Sequence, residues 1–198
     1  MGARRKAKGP SARGVALVER VIAAIEAGAP GELENPERRA LTAAELDALS
    51  LPNGRAIPPS LRRWLAFDAN ALQELVTGEP PRLVVMTGRE LARAYLTDAA
   101  AEALDADAGV FLPLRAGVGV FALYCGTPDA EGEYPVVHGH ASDLIGAEVA
   151  VSHPGFDVFL AWVASLVDDP EEAYAEELAQ ARARNPFVTE DEVLGLVE

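Results

Sequence analysis

The chain has a single cysteine, Cys125, among 198 residues, so no intramolecular disulfide can form and a reducing compartment suits it. Aromatic residues are only 6% against a hydrophobic content of 49%, so Leu, Val and Ala must supply most of the core. No apolar run reaches the roughly 18 residues needed to span a membrane. The basic start MGARRKAKGPSARG is followed by VALVERVIAAIEAG, whose Arg20 and two glutamates break up what would have to be an apolar signal segment. A cytoplasmic location with no membrane contact is expected. Positive charge is scarce too. The 17 Lys and Arg against 31 Asp and Glu leave a net charge of −14, which argues against direct nucleic-acid binding. Also missing are a Walker pattern, a Gly-x-Gly-x-x-Gly after a strand, a Gly-x-Ser-x-Gly elbow and a His-Glu-x-x-His pair. These patterns therefore specify no active site, and no catalytic residue and no cofactor are assigned.

The most informative stretch runs from Gly109 to Val167. Its short apolar runs GVFLPL, VGVFALY, EYPVV and AEVAV are separated by Gly, Pro and Asp clusters, as strands are by turns. Phe156, Phe159, Leu160, Val163 and Leu166 then recur at the spacing of one helix face. The fold class expected is α+β, a mostly antiparallel central sheet flanked by helices, with helical N- and C-terminal extensions.

Residues 1–13 carry five Lys and Arg and are expected to form a flexible arm. Val18, Val21, Ile22 and Ile25 predict an amphipathic helix over 14–28, with no obvious place in a compact sheet domain. Thr42 and Glu45 form a capping-box pattern. Pro58-Pro59 requires an extended lead-in, with Ser60 as N-cap of a helix bearing Leu61, Trp64 and Leu65. Leu83 to Met86 fits a strand, Arg89 to Tyr95 a helix, and Ala99 to Ala108 an acidic connection. Pro170 opens a helix with acids early and Arg182 and Arg184 late, as the helix dipole favours. Thr189 to Val197 predicts a last short helix. The segments expected are a basic arm with its helix (1–40), an α+β domain (41–167) and a helical extension (168–198).

Two clusters invite chemistry. His138, His140, Asp143 and His153 fall within sixteen residues, and a His-x-His pair on a strand projects to one side. Their spacing fits zinc patterns loosely, so a solvated hairpin loop is favoured and no metal ligand is assigned. His153-Pro154-Gly155 reads as a turn into the last core helix, where Asp157 complements the dipole. Asp129, Glu131 and Glu133 alternate in TPDAEGEYP. Carboxylate catalysis needs a sheltered acid of raised pKa, whereas acids in a Gly- and Pro-containing loop are expected to be hydrated. Charge is uneven as well. Residues 1–99 carry +2 and residues 100–198 carry −16.

The order of these signals resembles the SUKH superfamily, which includes fungal cell-wall regulators of the Smi/Knr type and bacterial toxin-immunity proteins. IPPSLRRWLAFD is similar to that family's Leu-Pro and amphipathic helix. FLPLRAGVGVFALYCGTPDAEGEYPVVHGH resembles its central strands, and HPGFDVFLAWVASL its closing helix. The likeness covers residues 41–167; it departs where Ala69-Asn70-Ala71 replaces the usual Asn-Gly. It implies an α+β domain that binds a cognate toxin, often a nuclease, and blocks it. The expected partner is such a toxin or another basic protein, met by Asp129, Glu131, Glu133 and Asp143. The alternatives are a regulatory adaptor recruiting partners through its terminal helices, or a metal-dependent hydrolase using His138, His140 and Asp143.

Overall fold

The computed structural model describes residues 12–28, 33, 37–51, 54–72, 75–87, 90, 110–116, 119–141 and 147–185. The predicted Arg89–Tyr95 helix except Glu90, the Thr189–Val197 helix, the Ala99–Ala108 connection and Asp143 lie outside the described residues.

Strands β4 (Val110–Ala116), β5 (Gly119–Tyr124) and β7 (Ala147–His153) correspond to three of the apolar runs. Strand β6 (Val136–Ala141) takes only Val136 and Val137 from EYPVV and runs on through His138 and His140, which corrects the expectation of a hairpin loop there. With the short β3 (Met86–Thr87) they form a five-stranded antiparallel sheet in the order β3-β4-β5-β6-β7. Every strand thus pairs with its neighbour in sequence, and the architecture is α+β as expected. The apolar run from Leu83 to Met86 is divided rather than continuous. Its first residue closes β2 (Arg82–Leu83), which pairs with β1 (Val76–Thr77), and its last opens β3 in the larger sheet.

Register places Leu114 beside Phe121, Leu112 beside Leu123, and Leu123 beside Val136 on one face of the sheet. One extra residue, Ser152, sits in β7 between the pairs Val137–Val151 and Val136–His153, a β-bulge. The bulge turns His153 onto the same face as Val136.

Helix α4 (Phe156–Val163) lies against that face. It is apolar nearly all round, and every residue from Phe156 to Ala161 is buried. A helix of that kind must be covered on its outer side as well. The cover comes from α1 (Val15–Glu26) and α3 (Pro59–Leu65), both of which contact α4. Leu17, Val18, Val21 and Ile22 of α1 and Leu61, Trp64 and Leu65 of α3 are at most 4% exposed. Each such side chain contributes about 1.5–3 kcal/mol through burial. The predicted α1 stripe is present, but its target is the central helix. The amphipathic helix grouped with the basic arm therefore shares one core with residues 41–167.

The C-terminal segment also packs inward. The expected single helix from Pro170 is two, α5 (Pro170–Ala173) and α6 (Ala175–Arg184), broken at Tyr174 where φ is −133°. Burial of Tyr174 at 3% exposure, with its hydroxyl donating to Ala12 O at 3.3 Å, accompanies the break. Both helices contact β7, and Arg182 Nε donates to Val151 O at 3.1 Å. Asn185 Oδ1 accepts from Thr127 N at 2.8 Å, tying the end of α6 to the turn after β5.

Candidate functional site

Helix ends leave backbone N–H groups without intrahelical partners, and a Ser, Thr, Asp or Asn at the N-cap usually satisfies one of them. Two helices here do so locally. Thr42 and Glu45 form the predicted capping box on α2 (Ala43–Ala48), and Asp169 accepts from Glu172 N on α5. The three helices that build the core have no such side chain. Helix α1 begins after Gly14, α3 after Pro58 and α4 after Gly155. Acids from elsewhere in the chain serve two of these ends, and the turn between β5 and β6 is built around one of them.

In that turn Asp129 Oδ1 accepts from the N–H of Glu131 and of Glu133, each at 2.9 Å, while Glu133 O accepts from Asp129 N. The knot fixes which acids face outward. Glu131 is exposed, the Asp129 side chain is 18% exposed, and Glu133 is 1% exposed. This corrects the expectation of a uniformly hydrated acidic loop. Glu133 is turned into the protein and presents nothing to a partner. Its Oε1 accepts from Ser60 N at 2.8 Å, and its Oε2 is hydrogen-bonded to Ser60 Oγ. Ser60 is therefore not the N-cap of α3, because the helix already starts at Pro59; it is the second residue, and Glu133 reaches it from 73 positions away.

Burial pushes the Glu133 carboxyl up to about 7. Its hydrogen bonds from Ser60 oppose the shift, and the charges of Asp157 and Asp129 add to it. The carboxylate gains from two donors at a helix end, yet loss of water outweighs that gain.

Asp157, in the first turn of α4, has no exposed surface. Its Oδ2 accepts from Gly14 N at 2.6 Å and Arg13 Nε at 2.8 Å, and its Oδ1 from Arg13 Nη2 at 3.4 Å. The role expected from sequence, complementing its own helix dipole, is thus joined by a tie to the start of α1. Arg13 also lies 3.7 Å from Asp129 and 5.9 Å from the Tyr174 ring centroid, within cation–π range. Burial acts against its charge, but Asp157 outweighs this and holds the guanidinium above its ordinary pKa. Gly155 makes room for the pair, since a Cβ there would fall 2.4 Å from Asp157 Oδ1 and 3.0 Å from Arg13 Nη2.

His138 and His153 both lie against Phe121. His138 stacks on Phe121 with ring centroids 4.5 Å apart. His153 is 4% exposed and meets Phe159 edge-on at 5.3 Å. Its Nδ1 is 2.9 Å from Ser152 Oγ, which itself donates to Val136 O. Burial lowers the His153 pKa to about 3, with His138 adding to the effect, so the ring is neutral at physiological pH. The backbone of His140 pairs with Glu148. Among the described residues no group of three or more His, Cys, Asp or Glu is placed to hold a metal ion. Cys125 is a buried thiol raised to about 12 by desolvation, an inert core residue as expected. An open groove of about 480 Å³ lies between Leu49–Leu51, Gly54 and Pro81–Leu83, and none of the predicted site residues lines it. No helix among the described residues is long and apolar enough to cross a membrane.

Exposed acidity is found instead on the last helices. Asp168, Asp169, Glu171, Glu172, Glu176 and Glu177 occupy ten positions, and all but Glu177 are exposed. Glu171 pairs with Arg182 at 2.9 Å.

No protein-family profile and no curated protein matches the chain. Among solved structures it is similar to an uncharacterized protein from Salmonella enterica subsp. enterica serovar typhimurium. The match has 14% identity and a TM-score of 0.56, and it covers 85% of this chain and 90% of the other. At that identity the likeness is one of fold: the chain shares the α+β architecture of a bacterial protein over most of the length of both.

Proposed function

We propose that this chain is a non-catalytic protein-binding module, an immunity protein that binds and neutralises a cognate bacterial toxin in the cytoplasm. The observation carrying this reading is the outward-facing acid run on α5, α6 and the segment before them, in a half-chain of charge −16. Such a surface raises the encounter rate with a cationic partner by long-range attraction, and a nuclease presents a cationic face to its own substrate. Asp129 and Glu131, in the turn between β5 and β6, belong to the same half of the sequence. Glu133 belongs to the interior and is removed from the docking set. The resemblance of residues 41–167 to SUKH immunity proteins agrees with a partner of this class.

The adaptor alternative draws on terminal helices free to recruit partners. Helices α1 and α6 bury Leu17, Val18, Val21, Ile22, Leu178 and Ala181 within the protein itself, which favours the binding module over recruitment through these two helices. Co-expression with the toxin-like product of a neighbouring gene tests the proposal. Growth rescue together with equimolar co-purification is the expected result. Absence of both overturns it.

A further inference from the structure

Glu133 is a buried carboxyl that docking does not use, and it sits where three separate parts of the chain meet. From α3 it faces Ser60; from α4, Asp157; from its own turn, Asp129 and Glu131. From the N-terminal segment it faces Gly14, where a Cβ would lie 3.8 Å from Glu133 Oε1 and 3.5 Å from Glu131 Oε2. Arg13 is paired with the neighbouring acids Asp157 and Asp129, and Glu177 of α6 also acts on it. We infer that residues Ala12–Gly14 and the 129–133 turn form a clasp that opens locally when Glu133 loses its proton.

With Glu133 protonated, its hydroxyl and carbonyl oxygens satisfy Ser60 Oγ and Ser60 N, and one guanidinium faces two inner carboxylates. Ionisation adds a third inner negative charge in a buried site, beside Asp157 and Asp129. Swinging the turn outward hydrates Glu133 and relieves that repulsion. The same motion takes Asp129 away from Arg13, while Asp157 and Tyr174 still hold the N-terminal segment. The carboxyl ionises at about 7 in the closed clasp. With an ordinary carboxyl pKa of about 4.5 in the open one, the opening constant rises on the order of 20-fold from about pH 5.5 to about pH 8.

Amide hydrogen exchange read by NMR on the full chain, corrected for intrinsic rates, measures this opening at Ser60, Glu131 and Glu133. The expected result is exchange at these amides faster than in β5 and β6, rising on the order of 20-fold between the two pH values. Glu133→Gln copies the protonated carboxyl in shape and hydrogen bonding, and in it the rise should vanish while protection stays high. Exchange at these amides no faster than in β5 and β6 would leave only global unfolding and overturn the clasp. So would a pH-independent opening in the wild type, or a rise that survives Glu133→Gln.

Discussion

Replacing Asp157 by Ala should cost about 4 kcal/mol of folding stability, and the structure sets that figure. The carboxylate is wholly buried and takes three hydrogen bonds, one from Gly14 N at 2.6 Å and two from Arg13 at 2.8 and 3.4 Å. Removing one partner of a buried ion pair costs about 3–5 kcal/mol, because the other charge remains where water is scarce. An unsatisfied buried N–H adds about 1–3 kcal/mol, part of which is the same loss counted twice. Arg13 keeps Asp129 at 3.7 Å and the Tyr174 ring, which holds the total away from the upper end. Against a domain stability of about 5–15 kcal/mol the variant should still fold, with its urea midpoint lowered and its slope unchanged. A double-mutant cycle sharpens the test. Arg13→Ala in the Asp157→Ala background should cost about 2 kcal/mol less than in the wild type. A loss below about 1 kcal/mol for Asp157→Ala, or strict additivity with Arg13→Ala, would refute the claim that this pair ties α1 to α4.

Glu133→Gln should flatten the pH dependence of stability. The folded pKa of about 7 lies above the ordinary 4.5, so the contribution is complete below pH 4.5 and is lost as pH rises through 7. The whole effect is up to about 3 kcal/mol, read from urea midpoints across that range. Gly155→Ala should destabilise by about 1–3 kcal/mol, since the new Cβ would have to displace the Asp157–Arg13 pair; thermal unfolding measures it, and an unchanged midpoint would show that the pair can shift freely. Cys125, with its thiol raised to about 12, should react with an aromatic disulfide reagent at pH 8 only after denaturant is added.

Periodicity made much of the fold legible. Strands β4, β5 and β7 and helix α4 follow directly from their apolar spacing, whereas β6 continues through His138-Gly139-His140, where no apolar run marks it. The α1 stripe was equally readable, but a stripe says only that a face is buried and not what it meets. Four residues at most 4% exposed found their partner in α4, some 140 positions onward. The acids were harder. Asp129, Glu131 and Glu133 share a residue class and a loop, yet the turn sends one inward and leaves another in water. A signal for this was present in what the helices lack. Three apolar helices start after Gly14, Pro58 and Gly155 without a capping side chain of their own. Backbone groups at such ends need acceptors from distant sequence, and buried Asp or Glu residues are the natural supply. Tyr174 shows the reverse limit, since a continuous helical pattern hides a break that goes with the burial of one ring.

The central claim is that the acids of the second half divide into an inner set that holds helix ends and an outer set that meets a basic partner. Stopped-flow association with the co-expressed toxin over a salt series tests it most directly. Joint reversal of Glu172 and Glu176 to Lys should slow association several-fold and flatten its salt dependence, with folding intact. An association rate and salt slope equal to those of the wild type would contradict the account.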